Sequence, residues 1–305
     1  MSRRSRSRRL IVALAVLGSA GATAFWLLTR PSRLPAEQIP AHDVDLANGE
    51  TLCHAGSCGA CHKAPDGARG AERHLPTGGA PFQTPIGVFY PQNLTPDVET
   101  GLGRWSALDF VDAMWLGVSP DGRHYFPAFP YTSFRSITIT DLLDLRAYLM
   151  SLPPVRSPAR EADVPMLFLA RRGVGLWKRL AFRQPIFVPE PGHTASWTRG
   201  AYLANAPGHC GECHTPRDWL MIPDPSRAMA GGPHPAGEGK VPSLRGLLAR
   251  KRYQDVDDLV LALRFGETYG YDGLSSGGMA AIQENLALLP ESDLRALSEY
   301  LLSLQ

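Results

Sequence analysis

The chain has 305 residues, of which 44 % are hydrophobic and 20 % charged, enough for two domains that each bury a core. Six of its 31 basic residues lie in the first 30 positions, which carry no acid, so the remaining 25 face 29 acidic ones and the body holds a net charge of −4. A body of that sign lacks the basic footprint of a nucleic-acid binder, and 30 glycines with 27 prolines point to loop-rich domains rather than a bundle of long helices.

Five arginines within residues 2–9 precede residues 10–28, a run of 19 without a charge. That run is just long enough to span a bilayer as a helix. Arginine-rich flanks stay cytoplasmic, so the chain after Thr29 is expected to face outward, into the periplasm, from a single pass through the inner membrane. Ala22-Thr23-Ala24 resembles a small-residue cleavage site, which makes a removed signal peptide the alternative. The run exceeds the roughly 7–15 apolar residues of a signal core, which favours a retained anchor over residues 1–30. Trp26 falls where an interfacial aromatic belongs. Both readings export the chain.

Residues 31–44 read as a proline-rich extended spacer. Two similar halves follow, 45–155 and 195–305. Each opens with a short helix before a cysteine motif, around Asn48-Gly49-Glu50 and Arg199-Gly200-Ala201-Tyr202-Leu203. Each then has a Gly/Pro-rich loop, a short amphipathic helix (106–117 and 255–266), a second loop and a closing helix (140–152 and 291–304). The shared order of parts is an internal duplication, and it governs the reading of single residues. The expected fold is all-α: two tandem domains behind an N-terminal transmembrane helix.

Two segments carry the chemistry: Cys58-Gly59-Ala60-Cys61-His62 and Cys210-Gly211-Glu212-Cys213-His214. Two thiols one helical turn apart can reach both vinyl groups on a haem edge and form thioethers, and the next residue presents its imidazole to the iron. A CxxC alone also fits a redox dithiol or half a zinc site. Neither needs the histidine that follows both copies, so two covalently bound haem c groups are expected. The cofactor-binding residues are Cys58, Cys61, His62, Cys210, Cys213 and His214, with His62 and His214 as proximal iron ligands. No Walker, GxGxxG or HExxH motif competes. The fifth cysteine, Cys53, reads as a small buried residue on the proximal side.

The distal ligands follow from the repeat. Aligning 106–117 with 255–266 places Asp109 on Asp258, Gly117 on Gly266 and Met114 on Leu263. The same offset places Phe129 and Pro130 on Gly278 and Met279. Met279 lies in a Gly-rich loop before the last helices, the usual source of a thioether ligand, and is the expected ligand of the second iron. Phe129 cannot ligate, and Met114 supplies a thioether one step away, so Met114 is the expected ligand of the first. The bland alternative makes Met114 core filler, with His124 or an open site in its place. Met150 reads as core, and His42, His54, His193 and His209 as surface or loop residues. Tyr90, Asn93 and Trp105 fit either contacts to haem propionates or ordinary loop packing. Between the halves, residues 156–194 form a linker. Its segment 165–182 mixes Arg171, Arg172, Lys178 and Arg179 with Met166, Leu167, Phe168, Leu169, Leu176, Trp177 and Leu180. Packing between the halves is the favoured reading, with a membrane-surface helix as the other.

At Asn93-Leu94-Thr95-Pro96-Asp97, Gly101-Leu102-Gly103-Arg104-Trp105-Ser106 and Gly117-Val118-Ser119-Pro120-Asp121-Gly122 the chain resembles the cytochrome c subunits of membrane-bound alcohol, gluconate and aldehyde dehydrogenases. The run from Phe126 to Phe134 and Gly208-His209-Cys210-Gly211-Glu212-Cys213-His214-Thr215-Pro216-Arg217 carry the same resemblance, which covers roughly 45–305. It implies α-helical c-type domains in the periplasm that pass electrons from a dehydrogenase donor to a quinone, cytochrome or oxidase acceptor. Those subunits usually carry three haems, and many place Met where Phe129 stands. The second half also lacks an Asn-x-Thr-Pro-Asp run and has Val241-Pro242-Ser243-Leu244 there. The expected function is therefore outer-sphere electron transfer. The alternatives are a dihaem peroxidase or thiosulfate-type dehydrogenase with a labile ligand on the first haem, and a structural or sensor module.

Overall fold

The charge-free run and its arginine flank wind into one helix, α1 (Arg3–Leu28), in the computed structural model, which describes residues 3–64, 75–183, 186–236, 239–266 and 278–305. Within α1, Ser7–Leu28 is long and apolar enough to cross a membrane, and none of it is buried against the rest of the chain. A signal sequence passes the same test. The spacer after α1 is extended apart from one turn at Ala36–Gln38, but it is not loose. Arg33 donates to Asp109 at 3.1 Å and to the Pro120 carbonyl at 2.7 Å, and the Leu34 amide donates to buried Asp112 at 2.9 Å. The spacer thus holds the end of α1 against the first half.

The first half contains α2 (Leu46–Ala55), α3 (Cys58–Cys61), a small hairpin of β1 (Phe82–Thr84) and β2 (Gly87–Phe89), α4 (Ala107–Val111), α5 (Tyr131–Phe134) and α6 (Ile139–Ser151). A π-helical turn, Asp112–Leu116, continues α4. The linker forms α7 (Leu167–Ala181). The second half contains α8 (Ala195–Asn205), α9 (Gly211–His214), the two-residue strands β3 (Gly232–Pro233) and β4 (Lys240–Val241), α10 (Val256–Phe265), α11 (Met279–Leu286) and α12 (Glu291–Ser303). The described fold is helical with little strand.

Local chemistry explains the boundaries. Ser106 accepts from the Asp109 amide while Asp109 reaches back, a capping box that starts α4, and Asp255 accepts from the Asp258 amide to start α10. Gly117 and Gly266, at φ 58° and 76°, close both segments in the left-handed region that favours glycine. The first helix of each half crosses the last one at a glycine. A Cβ on Gly49 would lie 2.2 Å from the Asp144 carbonyl oxygen, and one on Gly200 would lie 1.8 Å from that of Ala296. Neither position admits a side chain without parting the helices.

Two clusters of buried side chains result. One gathers Leu52, Phe110, Met114, Leu142 and Leu145, and the other gathers Leu203, Leu259, Leu263, Leu294 and Leu297. They meet where the cysteine motifs lie: Ala206 belongs to the first cluster and Ala55 to the second. Helix α11 packs on α2 and α3, and the Tyr202 hydroxyl bonds to Asp141 across the seam.

Helix α7, formed by the linker, has two distinct faces. Val174, Lys178 and Ala181 are buried, with Lys178 bonded to the Leu116 and Gly117 carbonyls of the first half, whereas Leu176 and Leu180 face outward. The side chains of Leu167, Phe168 and Leu169 lie outside the described part.

Candidate haem sites

Each cysteine motif sits just past the helix that leads into it, and the two are held alike. Nδ1 of His62 donates to the Gln92 carbonyl at 2.6 Å, and Nδ1 of His214 donates to the Pro242 carbonyl at 2.8 Å. A carbonyl only accepts, so both imidazoles carry their proton on Nδ1 and leave the Nε2 lone pair free for a metal. The backbone carbonyl of each histidine is also held: that of His62 accepts from Gly78 at 2.8 Å, and that of His214 from Gly231 at 2.7 Å. Gly78 and Gly231 share a positive φ, 70° and 72°. In each, the left-handed turn brings the backbone against the loop that supplies the acceptor. Burial keeps both imidazoles below their ordinary pKa, offset in part by these carbonyls.

In the first half these residues open onto a cavity of 380 Å³. Cys58, Cys61 and His62 lie on its walls together with Met114, which is 7 % exposed, and Phe129. That size falls in the range of cofactor sites. Met114 stands in the π turn, an irregularity that recurs at functional sites. Phe129 packs its edge against Tyr125, Tyr131 and Phe134 at centroid distances of 5.7, 6.2 and 5.5 Å. His124 is committed elsewhere. Its Nε2 donates to the Thr29 carbonyl at 2.8 Å, and its Nδ1 accepts from Lys178 Nζ at 3.1 Å.

The neighbouring residues separate by role. Tyr90 and Trp105 line the cavity, and Arg160 lies 4.4 Å above the Tyr90 ring. Asn93 instead ties the loop together, donating to the Val155 carbonyl at 2.7 Å and accepting from the Thr95 amide at 2.9 Å. Cys53 is buried in the first cluster beside the Cys58 thiol. The side-chain hydrogen bond between the Cys53 and Cys58 thiols, more than burial, pushes the Cys58 thiol upward.

In the second half Met279 packs against the same cluster as Cys210 and Leu263. It is the first residue of α11 rather than part of a loop, because the helix begins at Met279 itself. The Gly-rich stretch 267–277 before it lies outside the described residues.

The two sites share walls. His209, next to Cys210, lines the cavity of the first half and meets the Phe134 ring at 5.4 Å. Its Nε2 lies 3.4 Å from the Gly56 carbonyl. Glu212, inside the second motif, accepts from Thr132 at 2.8 Å and Ser133 at 2.6 Å, both in the first half.

The donor set fits haem. Paired thiols flank an imidazole whose free nitrogen is fixed by a backbone carbonyl, and an apolar cavity lies beside them. Among the described residues no three His, Cys, Asp or Glu side chains converge on a bare metal ion. The proximal carbonyl acceptors and the glycine turns behind them do not announce themselves in the sequence. The pairs Gly78-Gly79 and Gly231-Gly232 are the one signal it holds.

This architecture defines a c-type cytochrome. Over 96 % of its length the chain is 38 % identical to "Diheme cytochrome c-type" of Cereibacter sphaeroides, of which it covers 97 %. It is 33 % identical over 88 % of its length to "Fructose dehydrogenase cytochrome subunit" of Gluconobacter japonicus, covering 55 % of it. It is 33 % identical over 87 % of its length to "Gluconate 2-dehydrogenase cytochrome c subunit" of Pantoea cypripedii, covering 60 % of it. No protein-family model matches the chain. The chain belongs to the dihaem c-type cytochromes, a family of electron-transfer proteins that bind haem c covalently.

Proposed function

We propose that the chain is a dihaem electron carrier that takes single electrons from a dehydrogenase and passes them to a respiratory acceptor, with α1 as inner-membrane anchor and the haems in the periplasm. The two buried clusters are read as the cores of two cytochrome c domains. Cys58 and Cys61, and Cys210 and Cys213, hold the haems as thioethers. His62 and His214 are the proximal ligands, and Met114 and Met279 the distal ones. The observation that carries this reading is the first cavity, where both thiols, the oriented His62 and buried Met114 share one set of walls.

Haem supplies a reversible one-electron couple. Gln92 and Pro242 hold the imidazoles in one tautomer and one orientation, which keeps them good ligands in both redox states. Phe129 and its aromatic neighbours keep water from the distal side of the first site. His209 and Glu212 brace the second motif on the first half, so the distance between the sites is set by packing. The dehydrogenase relatives support a dehydrogenase donor.

The peroxidase-like reading needs an open distal position at the first site. Met114 on the cavity wall and the two bonds of His124 weigh against it. A redox titration with optical spectra tests the choice. Two six-coordinate low-spin haems with a thioether-to-iron band are expected. A high-spin haem that binds carbon monoxide in the native protein would favour the enzyme.

A further inference from the structure

Helix α7 does more than wall the first site, where Arg171 lines the cavity and Lys178 holds the Leu116 and Gly117 carbonyls: it is also built around the end of α1. Arg172 donates to the Trp26 carbonyl at 2.6 Å, and its guanidinium lies 4.0 Å above the Trp26 ring. Arg179 donates to the Leu28 carbonyl at 2.9 Å. Both cations satisfy carbonyls at the negative end of α1. Between them Gly175 lets the backbones touch, since a Cβ there would lie 2.8 Å from Thr29 Cα.

These contacts act as a depth gauge. Residues seven apart on α7 meet residues two apart on α1. At a rise of about 1.5 Å per residue, roughly 10 Å along α7 corresponds to roughly 3 Å along α1, so the helices cross steeply. A helix that crosses the end of a membrane-spanning helix steeply lies along the membrane surface, at the depth of Trp26.

The outward face of α7 suits that position. Leu176, Arg179 and Leu180 follow at helical spacing, with Arg183 in the turn beyond the helix, and all are exposed, the leucines by 40 and 41 %. Alternating leucine and arginine is the pattern of an interfacial helix. Beside it, Trp177 Nε1 donates to the Leu220 carbonyl at 2.7 Å and tethers a loop whose Trp219 is 87 % exposed. A bare tryptophan in such a place is an interfacial anchor. The body as a whole is net acidic, so a cationic stripe such as this one is a part an anionic bilayer attracts.

We propose that α7 and the Trp219 loop form a platform resting on the outer leaflet of the membrane that α1 crosses. The contact fixes how the haem-bearing body stands over the lipid. The proposal rests on α1 as a retained anchor.

The test uses the full haem-loaded chain in nanodiscs of phosphatidylethanolamine and phosphatidylglycerol. Spin labels are placed singly by Leu176→Cys, Leu180→Cys, Trp219→Cys, Leu288→Cys and Val16→Cys, and haem content checks each fold. Labels at 176, 180 and 219 should be reached by oxygen and shielded from a water-soluble nickel complex. The label at 288 should show the reverse, and the label at 16 should sit deep in lipid. Nickel reaching 176, 180 and 219 while 16 stays in lipid overturns the platform, spares the anchor and leaves the face to a protein subunit. Nickel reaching position 16 removes the depth gauge and overturns anchor and platform together.

Discussion

In the first half the residues between Ser106 and Gly117 start as α-helix and finish as a π turn, whereas those between Asp255 and Gly266 are α-helical throughout. The caps match in kind: an oxygen at the start, an aspartate three residues on, a left-handed glycine at the end. The proximal sides match more closely still, with the same Nδ1-to-carbonyl bond and the same glycine turn. What differs lies on the distal side. Met114 in the π turn faces Leu263 in the regular helix, and Phe129 fills the place that corresponds to the start of α11. On the ligation proposed above, the duplicated frame keeps its proximal half fixed while the thioether moves between two neighbouring elements, with an aromatic in the vacated place.

The comparison breaks most completely at the thioethers. Replacing Cys58 and Cys61 by Ala should leave one haem, and so should replacing Cys210 and Cys213, as read by the pyridine haemochrome of the purified chain. Loss of both haems from either pair would show that the halves do not fold as equivalents. Next come the distal ligands. Met114→Leu gives the first half the residue of the second, and it should convert one haem to a high-spin form that binds carbon monoxide. Met279→Ala should do the same for the other haem, and the two effects should add, because Met114 and Met279 pack into separate clusters. An unchanged spectrum in Met114→Leu would remove the relocated ligand from the account.

A smaller effect is expected at the helix crossings. Gly49→Ala and Gly200→Ala each push a methyl into a carbonyl oxygen and should cost about 1–3 kcal/mol of stability, the scale of an overpacked core. The tighter contact at Gly200 predicts the larger loss. Urea unfolding followed at each haem separately checks both the size and the order.

The cysteine motifs are legible in the sequence because their chemistry is contiguous: five residues contain the whole requirement. Met114 and Met279 are singled out in the sequence only through the repeat, since nothing around either methionine distinguishes a ligand from core, and their ligand role stays a proposal. The acceptors of His62 and His214 are not legible, for they lie 30 and 28 residues away and act through backbone carbonyls that any residue carries. The start of α11 at Met279 is hidden because the glycines before it suggest a loop. Lys178 looks like one more cation on an amphipathic stretch. Lysines are almost never fully buried, so its place inside the first half has no sequence signal.

Lys178 also gives the halves their subtlest difference. Its Nζ donates to the carbonyls of Leu116 at 2.6 Å and Gly117 at 2.7 Å, closing the end of the Met114 turn. In the second half the Gln283 amide does that work, donating to the carbonyls of Leu263 at 3.0 Å and Arg264 at 3.1 Å. One cap titrates and the other cannot. Burial lowers Lys178 from 10.5 to about 7. Its neighbours stay fixed above that pH: burial lowers His124 to about 4, and burial pushes the Tyr131 hydroxyl well above its ordinary range. Between about 7 and 10.5 the unfolded chain therefore binds a proton that the folded chain has released. Stability must then rise with pH across that window, by at most about 1.4 kcal/mol per pH unit, and Lys178 adds no slope below it. Urea midpoints followed at the first haem should climb from neutral pH upward and flatten in Lys178→Met, while those followed at the second haem should not respond to the substitution. A slope that survives Lys178→Met would place the titrating group elsewhere, and the two caps would then be equivalent.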